Sequence, residues 1–127
     1  MRIAQIYLVF FGLMAIATGL AYLLAAQGMS TALGFDILPP PALADIRANY
    51  GGMQLGLGLF LLYCVRTGQL KTGLLLTLIV MAAVPLLRAL SFAMDGGATQ
   101  TQVAVLGMEI VFLVISLVLY RRTPARV

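Results

Sequence analysis

The stretch TGLLLTLIVMAAVPLLRALSF, residues 72–92, carries one charge, Arg88, in an otherwise apolar run. Its length suits one helical crossing of a ~30 Å hydrocarbon core, which takes about 20 residues. Polar and apolar positions do not alternate along it, so it reads as a helix and not as a barrel strand. Three comparable runs lie on either side, at about Ile6 to Ala26, Pro41 to Val65 and Thr101 to Tyr120. The sequence therefore predicts an all-α fold: an antiparallel bundle of four transmembrane helices at about 6–26, 41–65, 72–92 and 101–120. Residues 1–127 make one integral membrane domain.

Composition agrees with this reading. Of 127 residues 62% are hydrophobic and 9% charged, against about 25% charged in soluble domains. The single Cys64 excludes an internal disulfide and a cysteine-cluster metal site, and the lack of histidine removes His-ligated metals and a Ser-His-Asp triad. No metal, cofactor or catalytic residue is expected. The basic balance, net +4, is explained by charges flanking apolar spans and not by nucleic acid. Arg2 before an apolar run is how a signal peptide begins, but the run is long and Leu24-Ala25-Ala26 is a poor cleavage site, so a retained helix is expected.

The connectors set the topology. Pro39-Pro40-Pro41 ends the longest loop, residues 27–40, and launches the second helix, since proline suits a first helical turn. RTGQLK (66–71) is a tight connector, and MDGGATQ (94–100) holds an Asp-Gly turn signal. Arg2, Arg66, Lys71, Arg121, Arg122 and Arg126 all fall on one side of the four spans. By the positive-inside rule that side, with both termini, is cytoplasmic. A bacterial inner membrane is the expected location.

Charges inside the spans single out a site. At 1.5 Å per residue, Arg47 lies about 9 Å, Arg88 about 6 Å and Glu109 about 12 Å from the outer ends of their helices. A charge at the bilayer centre costs about 2.5–3.5 kcal/mol on insertion scales, so such residues pair, serve a site, or do both. Glu109 is expected to contact Arg88, Arg47 or both. Arg47, Tyr50, Gly51, Gln54 and Gly58 share one helical face, as do Arg88, Ser91 and Asp95. Gln102, Glu109 and Ser116 recur at heptad steps, and so do Gln5, Gly12 and Gly19, with Thr18 and Tyr22 adjacent. These polar and small stripes should face the bundle interior. The candidate polar cluster is therefore Arg47, Tyr50, Gln54, Arg88, Ser91, Asp95 and Glu109. A purely structural ion pair is the competing reading.

Gly51, Gly52, Gly56 and Gly58 are candidate packing positions, with Gly52 and Gly56 forming a GxxxG match. Packing of the second helix on the first or fourth is favoured over a homodimer seam. Pro85 is expected to kink the third helix one turn before Arg88.

The segment from Asp45 through Arg47, Tyr50, Gly51, Gly52, Gly56 and Gly58 resembles the signature of a bacterial family of small four-helix membrane domains of unknown function. That family looks related to DoxX-like membrane proteins. Arg88, Ser91, Asp95, Gly96 and Glu109 match its later motifs. The resemblance spans nearly the whole chain, implies a four-helix membrane fold and brings no activity with it.

Three function classes follow. The first is a binding or accessory protein whose outward-facing arginines hold an anionic lipid headgroup, a small molecule or a partner subunit. The second is a small proton-coupled transporter using Glu109. An enzyme ranks last, because no nucleophile and base are paired. Membrane lipids are the expected partners, with a homo-oligomer or a partner membrane subunit possible and nucleic acid excluded.

Overall fold

The computed structural model describes residues 2–124. Met1 and residues 125–127, with Arg126 of the basic set, lie outside the described residues. The chain is all-α: α1 (Arg2–Ala32), α2 (Pro40–Ile46), a π-helical turn (Arg47–Gly52), α3 (Met53–Arg66), α4 (Leu70–Asp95) and α5 (Gln100–Arg122). Ile46, Arg47, Gly52 and Met53 all keep right-handed helical dihedrals, so α2, the π turn and α3 form one helical path.

Among the described residues three helices are long and apolar enough to cross a membrane: α1, α4 and α5. The expected second span is not an uninterrupted α-helix, because the π turn divides it into pieces of 7, 6 and 14 residues. The other helices extend past their expected ends. The first covers residues 27–32, read from sequence as loop, where Thr31 caps back onto the Gly28 carbonyl. Its path bends at Ala25 (φ −135°, ψ 42°). Pro85, where a kink is expected, lies inside α4, which runs on to Asp95. Local chemistry fixes the ends of two helices. Pro40 and Pro41 occupy the first turn of α2. Thr99 and Gln102 form a reciprocal capping box at the start of α5.

The helices associate as two pairs, α1 with the π turn and α3, and α4 with α5. Glycine sets the first pair. A Cβ on Gly58 would lie 2.5 Å from the Gly12 carbonyl oxygen, and one on Gly19 would lie 2.8 Å from that of Gly51. Two glycines seven residues apart on α1 thus meet two glycines seven apart on the second path, in inverse order. Small residues let the backbones approach this closely. Gly52 and Gly56, the GxxxG match, have open space where a Cβ would stand.

The buried core sits at one end, where Ala4, Tyr7, Leu8 and Phe11 of α1 pack with Leu61, Leu70, Leu74 and Met81. Phe112 joins them edge-on to Phe11 with ring centroids 5.3 Å apart. The Tyr7 hydroxyl donates to the Phe112 carbonyl and shares a 2.7 Å hydrogen bond with Ser116, tying α1 to α5. Toward the other end the pairs part. Neither α2 nor the π turn packs against α4 or α5. Large apolar side chains such as Leu24, Leu59, Leu87, Val111 and Val114 are exposed over the outside, a surface suited to lipid and not to water.

Candidate functional site

Arg88 on α4 and Glu109 on α5 meet where the two helix pairs separate. Arg88 Nη2 donates to Glu109 Oε1 at 2.7 Å and Nε donates to Oε2 at 3.0 Å. This two-pronged geometry is the strong form of the arginine–carboxylate pair. Glu109 is 6% exposed, while the Arg88 side chain is 24% exposed. The carboxylate is thus spent on its partner, and the guanidinium keeps donors on its open side. There it lines a cavity of about 350 Å³ with Ser91, Gln102 and apolar Val84, Leu87 and Phe92.

The heptad stripe on α5 explains the placement of Glu109. Glu109 and Ser116 are the buried residues of that helix, and Gln102 is half-buried on the same line. On α4, Ser91 stands one turn beyond Arg88 and shares its cavity, whereas Asp95 lies at the helix end, exposed.

The segment RANYGG, from Arg47 to Gly52, is the π turn residue for residue. π turns add one residue to a helical turn and often mark functional sites. Here the turn brings Gly51 against α1 and sets the Tyr50 ring, tilted by 41°, against that of Tyr22, centroids 5.4 Å apart. Tyr22 is 5% exposed, and its hydroxyl has no hydrogen-bond partner among the described residues. It belongs with Tyr50. Its heptad spacing from Ala15 and Leu8 is ordinary core spacing, and only its adjacency to Gly19 hinted at this place.

Arg47 does not join the pair. Its Nε donates to the Leu23 carbonyl at 3.3 Å, and the side chain is exposed. The reason is local: non-helical dihedrals at Ala25 disturb the hydrogen bonds accepted by the carbonyls just before it, and Arg47 serves one of them. Glu109 therefore contacts Arg88 and not Arg47. Gln54 is half-buried on the same path and forms no hydrogen bond through its side chain among the described residues. No group of three or more potential metal ligands occurs among the described residues.

No curated protein and no solved structure matches the chain. Residues 3–120 match the family described as a domain of unknown function, DUF4345, and the chain belongs to that family.

Proposed function

We infer that the chain is an integral protein of the bacterial inner membrane, crossing four times in antiparallel fashion with both termini cytoplasmic. Its outward-facing groove binds the headgroup of a lipid or a small molecule that presents acceptor oxygens. The membrane reading is supported by the three long apolar helices and the basic residues gathered on one side of the spans. The fourth crossing is supported by the continuous helical path of α2, the π turn and α3.

One observation carries the binding reading: the Arg88–Glu109 pair is closed on its Glu109 side and open on its Arg88 side, facing a cavity. The expected two-arginine anion clamp narrows accordingly. Arg47 is turned to Leu23 and Glu109 balances Arg88, so a ligand meets the remaining donors of one guanidinium and the Ser91 and Gln102 side chains that line the same cavity. An anionic headgroup or a carbonyl-bearing molecule fits those donors, and a partner helix with a polar side chain fits the same groove. Proton-coupled transport through Glu109 is less favoured, because both carboxylate oxygens are held by Arg88.

The test compares species carried through purification. Wild type and an Arg88→Met, Glu109→Gln double variant are purified in parallel in a nonionic detergent. Bound molecules are then identified by native mass spectrometry. A species retained by wild type and lost from the double variant is expected. Identical species on both, or proton-coupled uptake into proteoliposomes abolished by Glu109→Gln, would overturn the reading.

A further inference from the structure

The opposite end of the molecule carries a second cavity, of about 440 Å³. It is lined by the α3–α4 connector, the first turn of α4 and the end of α5, including Lys71, Thr72, Tyr120 and Thr123. The N–H groups of Leu70, Lys71 and Thr72 precede the first intrahelical bond of α4, from Gly73 N to Gln69 O, and Gln69 supplies no side-chain cap. Among the described residues these three donors have no partner, at the positive end of a 26-residue helix.

Three further observations point to an anion there. Thr123 is 6% exposed, lines the cavity, and its hydroxyl has no hydrogen-bond partner among the described residues. The Lys71 ammonium lies 5.0 Å from the Tyr120 ring centroid and has no carboxylate within salt-bridge distance among the described residues. Every acidic residue of the chain, Asp36, Asp45, Asp95 and Glu109, belongs to the loops and helix turns of the other end or to the mid-span pair. Arg66, Arg121 and Arg122 are sequence neighbours of the lining residues Thr67, Tyr120 and Thr123.

We propose that this cavity is a phosphate site, in which the free N–H groups of α4, the Lys71 ammonium and the Thr123 hydroxyl converge on a phosphate ester. Helix N-termini suit phosphate, and a lysine serves it as a point charge without needing a planar fork. The cavity lies where α4 begins and α5 ends, the level of lipid headgroups, and exposed Leu75 continues its wall toward the apolar zone. A membrane phospholipid and a soluble phosphate compound share this chemistry.

The experiment titrates purified protein in nonionic detergent with phosphatidylglycerol, phosphatidylcholine or inorganic phosphate, reading occupancy by native mass spectrometry and stability by thermal melting. Phosphatidylglycerol should bind wild type, and Lys71→Ala should weaken it about fivefold, the effect of one basic residue at an anionic surface. Lys71→Arg should restore part of the loss, and Lys71→Ala should cause the same fold-loss in an Arg88→Met, Glu109→Gln background, where the groove at the other end has lost its donors. Stabilisation by millimolar inorganic phosphate that Lys71→Ala removes, with displacement of the lipid, would assign the site to a soluble phosphate. Thr123→Val keeps the charge and the Lys71–Tyr120 contact, so it tests the site even if Lys71→Ala does not fold. Unchanged lipid and phosphate affinity in Lys71→Ala or, where that variant does not fold, in Thr123→Val overturns the proposal. So does an equal loss from Arg66→Ala, which would show a diffuse surface field.

Discussion

Gly58 of α3 stands directly over the backbone of Gly12 in α1, with the Gly12 carbonyl oxygen 2.5 Å from where a Cβ would be. The obstacle is backbone, hemmed further by Ile16 Cγ1 at 2.6 Å, so it cannot swing away as a side-chain tip would. Gly58→Ala should force α1 and α3 apart and destabilise the fold by about 1–3 kcal/mol, the usual cost of overpacking. Gly56→Ala, with open space at its Cβ position, should be neutral or stabilising by up to about 1 kcal/mol through helix propensity. Thermal melts of the two variants in one detergent check the contrast. Equal melting temperatures would show that the α1–α3 seam yields easily.

The Arg88–Glu109 pair predicts a non-additive cycle. Glu109→Gln leaves the Arg88 charge without its partner, a loss of about 3 kcal/mol on the scale of buried pairs. Arg88→Met leaves the more deeply buried carboxylate alone and should cost at least as much. The double variant should recover part of either loss, since no orphaned charge remains. Melting curves for all four proteins read the coupling, and strict additivity would mean the two side chains do not depend on each other.

Topology is checked by accessibility from outside the cell. Thr67 lies in the basic connector and Ala98 in the Asp-Gly-Gly connector, both exposed. In a Cys64→Ala background, an impermeant maleimide applied to intact cells should label Ala98→Cys and leave Thr67→Cys unlabelled until the membrane is broken. Cys64 itself is buried and should label slowly in either case. The reverse pattern would invert the assignment of the two sides.

The Tyr7 hydroxyl links α1 to α5 through Ser116 and the Phe112 carbonyl. Tyr7→Phe strands the buried Ser116 hydroxyl and should cost about 1–2 kcal/mol. Adding Ser116→Ala should make matters no worse, because the orphaned group is then gone. A double variant that melts well below Tyr7→Phe alone would show that Ser116 has another role.

Helix positions were readable from sequence because apolar run length is a direct measure of what a bilayer requires, and residues 72–92 and 101–120 lie inside the observed α4 and α5. Helix ends were less readable. Residues 27–32 look like loop because Gly28 and Ser30 have poor helix propensity, yet they continue α1, with the fully buried Ser30 accepting closing bonds from Leu33 and Phe35. Polar heptads put Glu109 on an inward line, and depth counting put Arg88 near it. Depth alone could not exclude Arg47, because its partner is a carbonyl exposed by the bend at Ala25, and no residue type announces that bend. Helical spacing did put Gly51 and Gly58 on one inward face, and both touch α1, whereas the GxxxG match picked out Gly52 and Gly56, which do not. A π turn nonetheless changes the helical phase of what precedes it.

That change of phase makes chain length at residues 47–52 a control distinct from side-chain identity. A π turn holds one residue beyond what an α-helix needs, and one residue corresponds to about 100° of rotation. A relative lacking one residue in this segment could keep the Gly51–Gly19 and Gly58–Gly12 seats downstream and still be helical throughout. Its α2 would be swung about the axis by that angle, carrying the arginine away from the Leu23 carbonyl and re-aiming the rim of the groove. Insertions and deletions here, which an alignment would score as damage to a helix, are a means of re-orienting the mouth while the core at the other end stays as it is.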